Sequence, residues 1–219
     1  MYIPQSNAEH RAETMLDYIE ANPFGALVTA SPSDGLFATH LPLVLDRSRG
    51  VHGTLEGHVA RANPHHRHAL EAGDALVIFQ GPDAYITPSW YAAKAEHGRV
   101  VPTWNYVAVH AYGTLRFVED DAFLARHLDA LTNRHESGRD RPWATGDAPA
   151  EYLAQLRRAI IGVELLITRL EGKWKMSQNR SQADIDGVEQ GLARSSRDGD
   201  RAVAAIVAER RPTDGRERR

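Results

Sequence analysis

Alternating apolar and polar positions fill the middle of the chain and predict several β-strands. In residues 36–45, LFATHLPLVL, apolar side chains recur at every second position, which is typical of a strand with one buried face. Residues 106–118, YVAVHAYGTLRFV, keep this alternation for longer, which suits a barrel strand with a filled interior. Residues 75–81, ALVIFQG, predict a buried strand, and residues 159–170, AIIGVELLITRL, predict a final strand rich in β-branched and aliphatic residues.

Helical periodicity marks both ends of the chain and the junctions between the predicted strands. A first helix is predicted over residues 6–21, with Ser6 or Asn7 as its cap and Asn22-Pro23 as its stop. Further helices are predicted over residues 65–72, 121–135, 185–192 and 200–210.

Turn residues and prolines predict where these elements end. Residues 46–50, DRSRG, are expected to form a hairpin connection, and the Gly-Pro-Asp of residues 81–83 is expected to form a turn. Pro42 lies inside an alternating run, which favours an edge, a bulge or a ligand-facing position over a central strand. Ser181 and Asp184 resemble a capping box at the start of a C-terminal helix.

The order of these elements predicts an α+β fold, because several strands are accompanied by peripheral helices. A closed or split β-barrel fits this arrangement best. The chain has 219 residues, of which 42% are hydrophobic, so it can bury a normal core. Residues 212–219 are highly charged and are expected to be disordered.

Composition excludes several classes of chemistry. The chain has no cysteine, which excludes a disulfide scaffold, a cysteine-ligated iron–sulfur cluster and a thiol nucleophile. The net charge of −3 gives no reason to expect a general attraction to nucleic acid. No signal peptide is evident, and no apolar stretch reaches the roughly 18 residues needed to span a bilayer. We therefore expect a cytoplasmic protein that makes no membrane contact.

The segment GHVARANPHHRHAL, residues 57–70, combines a strand end with a helix start. Arg61 and Asn63 lie in this junction, where backbone N–H groups and a guanidinium could hold a phosphate. We interpret His65, His66 and His68 as surface residues, because no carboxylate or cysteine motif accompanies them. No metal site is predicted.

Two aromatic segments and one basic segment are further candidates for ligand contact. The segments TPSWY (87–91) and PTWNY (102–106) place Trp and Tyr where they could line a planar ligand, an interface or the core. In GKWKMSQNR (172–180), Lys173, Lys175 and Arg180 could neutralise an anionic cofactor or form a solvated basic segment. The residues alone leave these alternatives open.

Several motifs occur together in an order that resembles a known family. The segments MYIPQSN, ANPFGALVT, THLPLVLD, GHVARANPH, FQGPDAYITPSWY, VPTWNYVAVHAYG and KMSQNR resemble the FMN-binding negative transcriptional regulators of the PaiB type. The resemblance covers residues 1–192. It implies an FMN-binding split β-barrel related to the pyridoxamine-phosphate oxidase flavoproteins, with a homodimer that holds FMN at its interface. Residues 193–219 then form a helical C-terminal extension with a disordered tail.

The resemblance also implies which side chains surround the flavin. The THLP motif would place three residues near the ring, and the GHVARANP motif would place four near the ring edge and phosphate. The SWY, TWNY and KMSQN motifs would complete the site. The implied cofactor-binding residues are His40, Leu41, Pro42, His58, Val59, Arg61, Asn63, Trp90, Tyr91, Trp104, Asn105, Lys175, Gln178 and Asn179.

Three functions are compatible with these observations. The first is a homodimeric FMN-binding flavoprotein, redox-active or flavin-sensing, in which His40 or His58 hydrogen-bonds the isoalloxazine edge. As an enzyme it would be an FMN-dependent oxidoreductase, with catalytic residues unknown. The second is a DNA-binding repressor, although the C-terminal helices lack the usual basic surface. The third is haem binding or degradation, although no histidine has a recognisable axial-ligand context.

Overall fold

A computed structural model of the chain describes residues 1–31, 35–68 and 74–212. Within these residues there are eight β-strands and seven α-helices. The strands are β1 (Ala8–Glu9), β2 (Phe24–Ser31), β3 (Gly35–Pro42), β4 (Val44–Asp46), β5 (Thr54–Ala60), β6 (Asp74–Ile86), β7 (Thr103–Val118) and β8 (Ile160–Lys175). The helices are α1 (Ala12–Ala21), α2 (His65–His68), α3 (Ala93–Glu96), α4 (Asp121–Glu136), α5 (Ala150–Arg158), α6 (Gln182–Ala193) and α7 (Asp198–Glu209).

The strands form one sheet in the order β3-β2-β6-β7-β8-β5-β4, and β1 pairs with β8. The pairs β2–β3, β2–β6, β4–β5 and β5–β8 are antiparallel. Strand β3 lies at the end of this order and terminates at Pro42, so the predicted edge position of this proline is confirmed. The hairpin predicted at residues 46–50 is also confirmed, because it connects the paired strands β4 and β5.

The chain divides into two compact units. Unit 1 comprises Met1–His10, Gln80–Ala108 and Glu171–Arg219, and unit 2 comprises Arg11–Phe79 and Val109–Leu170. In unit 1, α6 packs against α7, and the core includes Ile86, Val107, Met176, Ile185, Val188, Leu192 and Val203. In unit 2, the core includes Leu27, Leu55, Val77, Phe79, Val109, Ile161 and Leu165. The predicted division of the chain at residue 192 stays a prediction.

Two local predictions were wrong, and helix α5 was not predicted. The first helix begins at Ala12, because residues 5–7 form a 3-10 turn and β1 pairs with β8. Residues 81–83 form no turn, since β6 continues through them. No residue of α5 is fully buried.

Further predictions concern the cap of α6, the end of the 65–72 helix and the C-terminal tail. Ser181 caps α6 by accepting a hydrogen bond from the Asp184 backbone N–H at 3.2 Å, as predicted. The carboxylate of Asp184 instead accepts a hydrogen bond from the backbone N–H of Ala93, so the second half of the capping box was wrong. The predicted end of the 65–72 helix and the disordered tail from residue 213 lie outside the described residues. No helix within the described ranges is long and apolar enough to cross a membrane.

Candidate functional site

Three cationic side chains of unit 1 lie together where β8 ends: Lys173, Lys175 and Arg180, here called the cationic cluster. None of them has a carboxylate within ion-pair distance among the residues described. Burial lowers the pKa of Lys175, and the positive charges of Lys173 and Arg180 lower it further. Because an anion placed here would relieve this repulsion, the cluster has the charge of an anion-binding site.

Strand β7 supports the two lysines of the cationic cluster. The Lys175 Nζ donates to the backbone carbonyl of Trp104 at 2.7 Å and to the hydroxyl of Thr103. Lys173 is only 8% exposed, and its Nζ lies 5.2 Å from the centre of the Tyr106 ring. The interpretation of this segment as simply solvated was therefore wrong for Lys173.

Amide side chains stabilise the turn after β8 through hydrogen bonds. Ser177 adopts a φ of 64°, which is uncommon for a residue other than glycine and marks local strain. The Gln178 Oε1 accepts a hydrogen bond from the backbone N–H of Met176 at 2.7 Å, and the buried Asn105 Nδ2 donates to the Ser177 Oγ at 3.1 Å. The predicted site residues Asn105 and Gln178 thus shape the turn, whereas Asn179 is exposed.

The SWY segment of unit 1 is packed against α6. Gly187 and Gly191 face Trp90, and a Cβ atom at either glycine would overlap the backbone or the indole ring of Trp90. Tyr91 is 3% exposed, its hydroxyl has no hydrogen-bond partner among the described residues, and the Arg180 guanidinium lies 4.7 Å from its ring centre. Trp90 is therefore a packing residue here, whereas the Tyr91 hydroxyl and Arg180 retain unused hydrogen-bonding capacity.

Trp104 presents an exposed aromatic surface. It is 48% exposed and contacts Tyr85, which is 45% exposed, with ring centres 6.1 Å apart. Val101 is 65% exposed. Large apolar side chains of this kind are more common at interfaces and ligand sites than on free surfaces.

In unit 2, the predicted site residue His58 contacts a histidine that the sequence did not indicate. The His58 Nδ1 lies 3.1 Å from the Nε2 of His127, which is fully buried on α4. Burial lowers the pKa of His58, and burial together with the charges of His58 and Arg126 lowers the pKa of His127 to about 4. Both rings are therefore neutral at pH 7.

Asn63 and His65 belong to a buried hydrogen-bond network. The His65 ring nitrogens lie 3.0 Å from the Thr29 Oγ1 and 2.8 Å from the Thr39 Oγ1. The Asn63 side chain donates to the Thr39 Oγ1 at 3.1 Å and accepts from the backbone N–H of His65 at 3.0 Å. His65 is 0% exposed, and burial lowers its pKa to about 4. Its interpretation as a surface residue was wrong, and His66 and His68 are half-buried rather than exposed.

Arg61 is held by several groups of its own unit. Its guanidinium forms an ion pair with Glu119 at 2.9 Å and donates to the backbone carbonyl oxygen of Arg158 at 3.0 Å. These contacts give Arg61 a local structural role, and its role at a phosphate stays a prediction.

The other predicted residues of unit 2 differ in exposure. His40 is exposed, and its ring stacks with that of Phe24 at 6.2 Å. Leu41 and Val59 are 2% and 4% exposed, so they belong to the core, and Pro42 is half-buried. Of these residues, His40 is the one with an accessible polar side chain.

An ion-pair network in unit 2 was not predicted. Glu56 and Glu164 lie opposite each other on β5 and β8, and both are buried. Arg49 bridges the two carboxylates at 2.6 Å, while Arg116 and Arg126 each hold one of them. Two cavities of about 460 Å³ border this network. Three arginines and two glutamates leave one positive charge, but every arginine of the network is already paired with a carboxylate, with which an anion would have to compete.

The residues of unit 1 fit the phosphate end of an FMN molecule. FMN carries a phosphate dianion, and the cationic cluster offers three cations that no carboxylate of the described residues neutralises. The buried hydroxyl of Tyr91 and the exposed amide of Asn179 add polar groups beside them. This donor set matches an anionic, hydrogen-bonding group.

A comparison with known protein families identifies the family of this chain. Residues 1–169 match the model of a family described as "Putative FMN-binding domain". The chain belongs to this FMN-binding family. The resemblance to PaiB-type proteins and the predicted FMN cofactor are thereby confirmed.

Relatives of this FMN-binding family member are similar over almost their whole length. An uncharacterized protein of Emericella nidulans is 37% identical over 96% of this chain and 97% of its own. The protease synthase and sporulation protein PAI 2 of Bacillus subtilis is 33% identical over 96% of this chain and 98% of its own.

Solved structures show the same fold. The FAD and heme binding protein of Mycobacterium smegmatis aligns with a TM-score of 0.55 at 19% identity, over 77% of this chain and 73% of its own. The predicted α+β split-barrel fold class is confirmed.

Proposed function

We propose that this chain is a homodimeric flavoprotein that binds FMN through the cationic cluster and uses it as a redox-active or redox-sensing group. The observation that carries the proposal is the set of three cations, Lys173, Lys175 and Arg180, without a carboxylate partner among the described residues of a chain from an FMN-binding family. When bound, FMN supplies the electron-transfer chemistry. The protein supplies the phosphate seat, hydrogen bonds to the ring and exclusion of water.

Replacing Lys175 with methionine is expected to weaken FMN binding at least tenfold, which corresponds to roughly 1.4 kcal/mol. The variant removes the positive charge but keeps the length of the side chain, so the loss reports on the phosphate contact. FMN fluorescence quenching at several salt concentrations measures the dissociation constant. The affinity of the wild type should fall with salt more steeply than that of the variant.

Lys94→Met is the matched control, because Lys94 is an exposed lysine of the same unit whose Nζ donates to the Ser89 hydroxyl at 3.1 Å. Its FMN affinity should stay close to that of the wild type. Equal affinity of Lys175→Met and Lys94→Met would show that the cationic cluster does not hold the phosphate.

A second copy of the chain is the proposed partner for the exposed aromatic surface of unit 1. Trp104, Tyr85 and Val101 expose apolar area that a homodimer would bury. Trp104→Ala should raise the dimer dissociation constant about tenfold or more and should also reduce flavin retention. Sedimentation equilibrium over a range of concentrations checks the first effect, and absorbance after desalting checks the second. A variant that dimerises and retains flavin like the wild type would make Trp104 an ordinary packing residue.

Direct DNA binding is a less well supported role for this chain. Four arginines of the described part of its C-terminal region are already paired with carboxylates, which reduces their attraction for phosphate. These pairs are Arg197–Asp200, Arg201–Asp198, Arg210–Glu9 and Arg211–Asp186. A mobility-shift assay with a salt titration tests the role, and a steep loss of binding with salt would support it.

Haem binding is likewise less well supported than flavin binding. Both ring nitrogens of His65 contact threonine hydroxyls, and the His127 nitrogen that is not engaged with His58 is fully buried, so neither residue offers an accessible nitrogen for axial ligation. A Soret band that appears on haem titration and is lost in one His→Ala variant would support haem binding.

A further inference from the structure

The contact between His58 and His127 constrains where the ring protons of both histidines lie. Their facing nitrogens, His58 Nδ1 and His127 Nε2, are 3.1 Å apart, so one of them donates and the other accepts. The remaining nitrogen of His127, Nδ1, is buried without any hydrogen-bond partner in the described chain. The His58 Nε2 has no partner there either, but it is not among the fully buried atoms.

The rings are held in place by the packing around them. His58 on β5 pairs with Gly162 on β8, and the Phe123 ring lies against Gly162, where a Cβ atom would overlap it. His127 stacks on Phe123 with a 12° interplanar angle and meets His58 edge to face at 5.3 Å. Because the phenyl ring occupies the space beside Gly162, His127 is directed towards His58.

Two arrangements of the ring protons are compatible with this contact when both rings are neutral. In the first, the His127 Nε2–H donates to the His58 Nδ1, and the His58 Nε2 carries a proton. In the second, the His58 Nδ1–H donates to the His127 Nε2, and the His58 Nε2 is a bare acceptor. The second arrangement also requires a proton on the His127 Nδ1.

Two physical arguments favour the first arrangement. The second would leave a buried N–H of His127 without an acceptor, and orphaned N–H donors are rarer in proteins than orphaned acceptors. The first places both imidazoles in the Nε2–H form, which is the preferred tautomer of histidine in water.

We propose that His127 is a positioning residue that holds His58 as an Nε2–H donor, so that the group bound at His58 is a hydrogen-bond acceptor. This inference rests on the proposed function and on the expectation, implied by the family resemblance, that His58 hydrogen-bonds the isoalloxazine edge. On an isoalloxazine ring the acceptors are the two carbonyl oxygens and the unprotonated ring nitrogens, whereas N3–H is a donor. His58 would therefore select the acceptor groups of the ring edge and disfavour N3–H.

Long-range ¹H–¹⁵N correlation spectra of the FMN-free protein at pH 7.5 test the tautomers without any need for activity. Bare and protonated imidazole nitrogens have well-separated ¹⁵N shifts, and spectra of His58→Gln and His127→Gln assign the signals. We expect protonated Nε2 and bare Nδ1 on both rings. A protonated Nδ1 on His58 would overturn the proposal.

FMN titrations of two His127 variants test whether the positioning of His58 by His127 strengthens FMN binding. In His127→Gln the amide N–H can still donate to the His58 Nδ1, so its dissociation constant should stay within about threefold of the wild type. His127→Leu removes the hydrogen-bond donor and leaves the His58 ring free to rotate. It should therefore raise the dissociation constant for FMN about tenfold. Equal dissociation constants for His127→Leu and the wild type would overturn the positioning role. If the wild type binds no FMN while the spectra show the expected tautomers, the proposed function fails and the positioning of His58 stands.

Discussion

Gly187→Ala is expected to destabilise the protein by about 1–2 kcal/mol, the reverse of what the same change does in an ordinary helix. An alanine in a helix interior is normally favoured over glycine by about 1 kcal/mol. In α6, however, a Cβ atom at residue 187 would overlap the backbone carbonyl of Trp90, which cannot move as a flexible side chain could. Helix α6 and the Trp90 segment would have to separate. Overpacking of this kind costs roughly 1–3 kcal/mol, which the helix propensity of alanine offsets by only about 1 kcal/mol.

Gly199→Ala is the matched control, because Gly199 is also helical and belongs to the same unit. A Cβ atom there would meet the carbonyl oxygen of Asp83 at 3.7 Å, which is an ordinary contact. Urea unfolding should show unchanged or slightly raised stability for Gly199→Ala. A Gly187→Ala protein as stable as the Gly199→Ala protein would contradict the close packing of α6 on Trp90.

Acidification is expected to lower the free energy of unfolding strongly between about pH 6.5 and pH 4. Burial holds the pKa of His65 and of His127 at about 4 in the folded protein, compared with 6.5 for an ordinary histidine. The unfolded chain therefore binds more protons in this range, so stability is full above pH 6.5 and is lost as the pH falls towards 4. At about 1.4 kcal/mol per pKa unit, each histidine contributes about 3 kcal/mol.

Urea unfolding at a series of pH values measures this dependence, and variants assign it. His65→Gln removes one titrating ring and should make the fall in stability between pH 6.5 and 4 shallower by about half. His135→Gln, which removes an exposed histidine, should leave the slope unchanged. A slope that is identical in wild type and His65→Gln would contradict the buried, neutral state of His65.

Much of the fold was predictable because the alternation of apolar and polar residues in its strands can be seen in the sequence. The alternation in β7 reflects a strand with one buried face, and Val107, Val109 and Ala111 are all fully buried. The Gly-Pro-Asp of residues 81–83 was misleading because turn propensity is a local signal, whereas β6 is held between β2 and β7 in the sheet. The predicted capping residues Ser6 and Asn7 are also a local signal, and they placed the start of α1 too early. The residues that follow them form β1 instead, which pairs with β8 far away in the sequence.

The sequence indicated site residues whose role depends on their own charge. It did not indicate residues whose role depends on a contact with a residue far away in the sequence. The basic segment containing Lys175 was identified from sequence, and burial together with its cationic neighbours lowers the pKa of Lys175. His127 was missed because nothing in the sequence of α4 shows that it meets His58, 69 residues away. His65 was misjudged because its threonine partners lie on β2 and β3.

The most direct test of this account is a visible absorption spectrum of the purified protein, recorded after FMN has been added and the sample desalted. The account predicts a flavin band that survives desalting in the wild type and is lost or strongly reduced in Lys175→Met. A wild-type protein that remains colourless after desalting and leaves FMN fluorescence unquenched would contradict it.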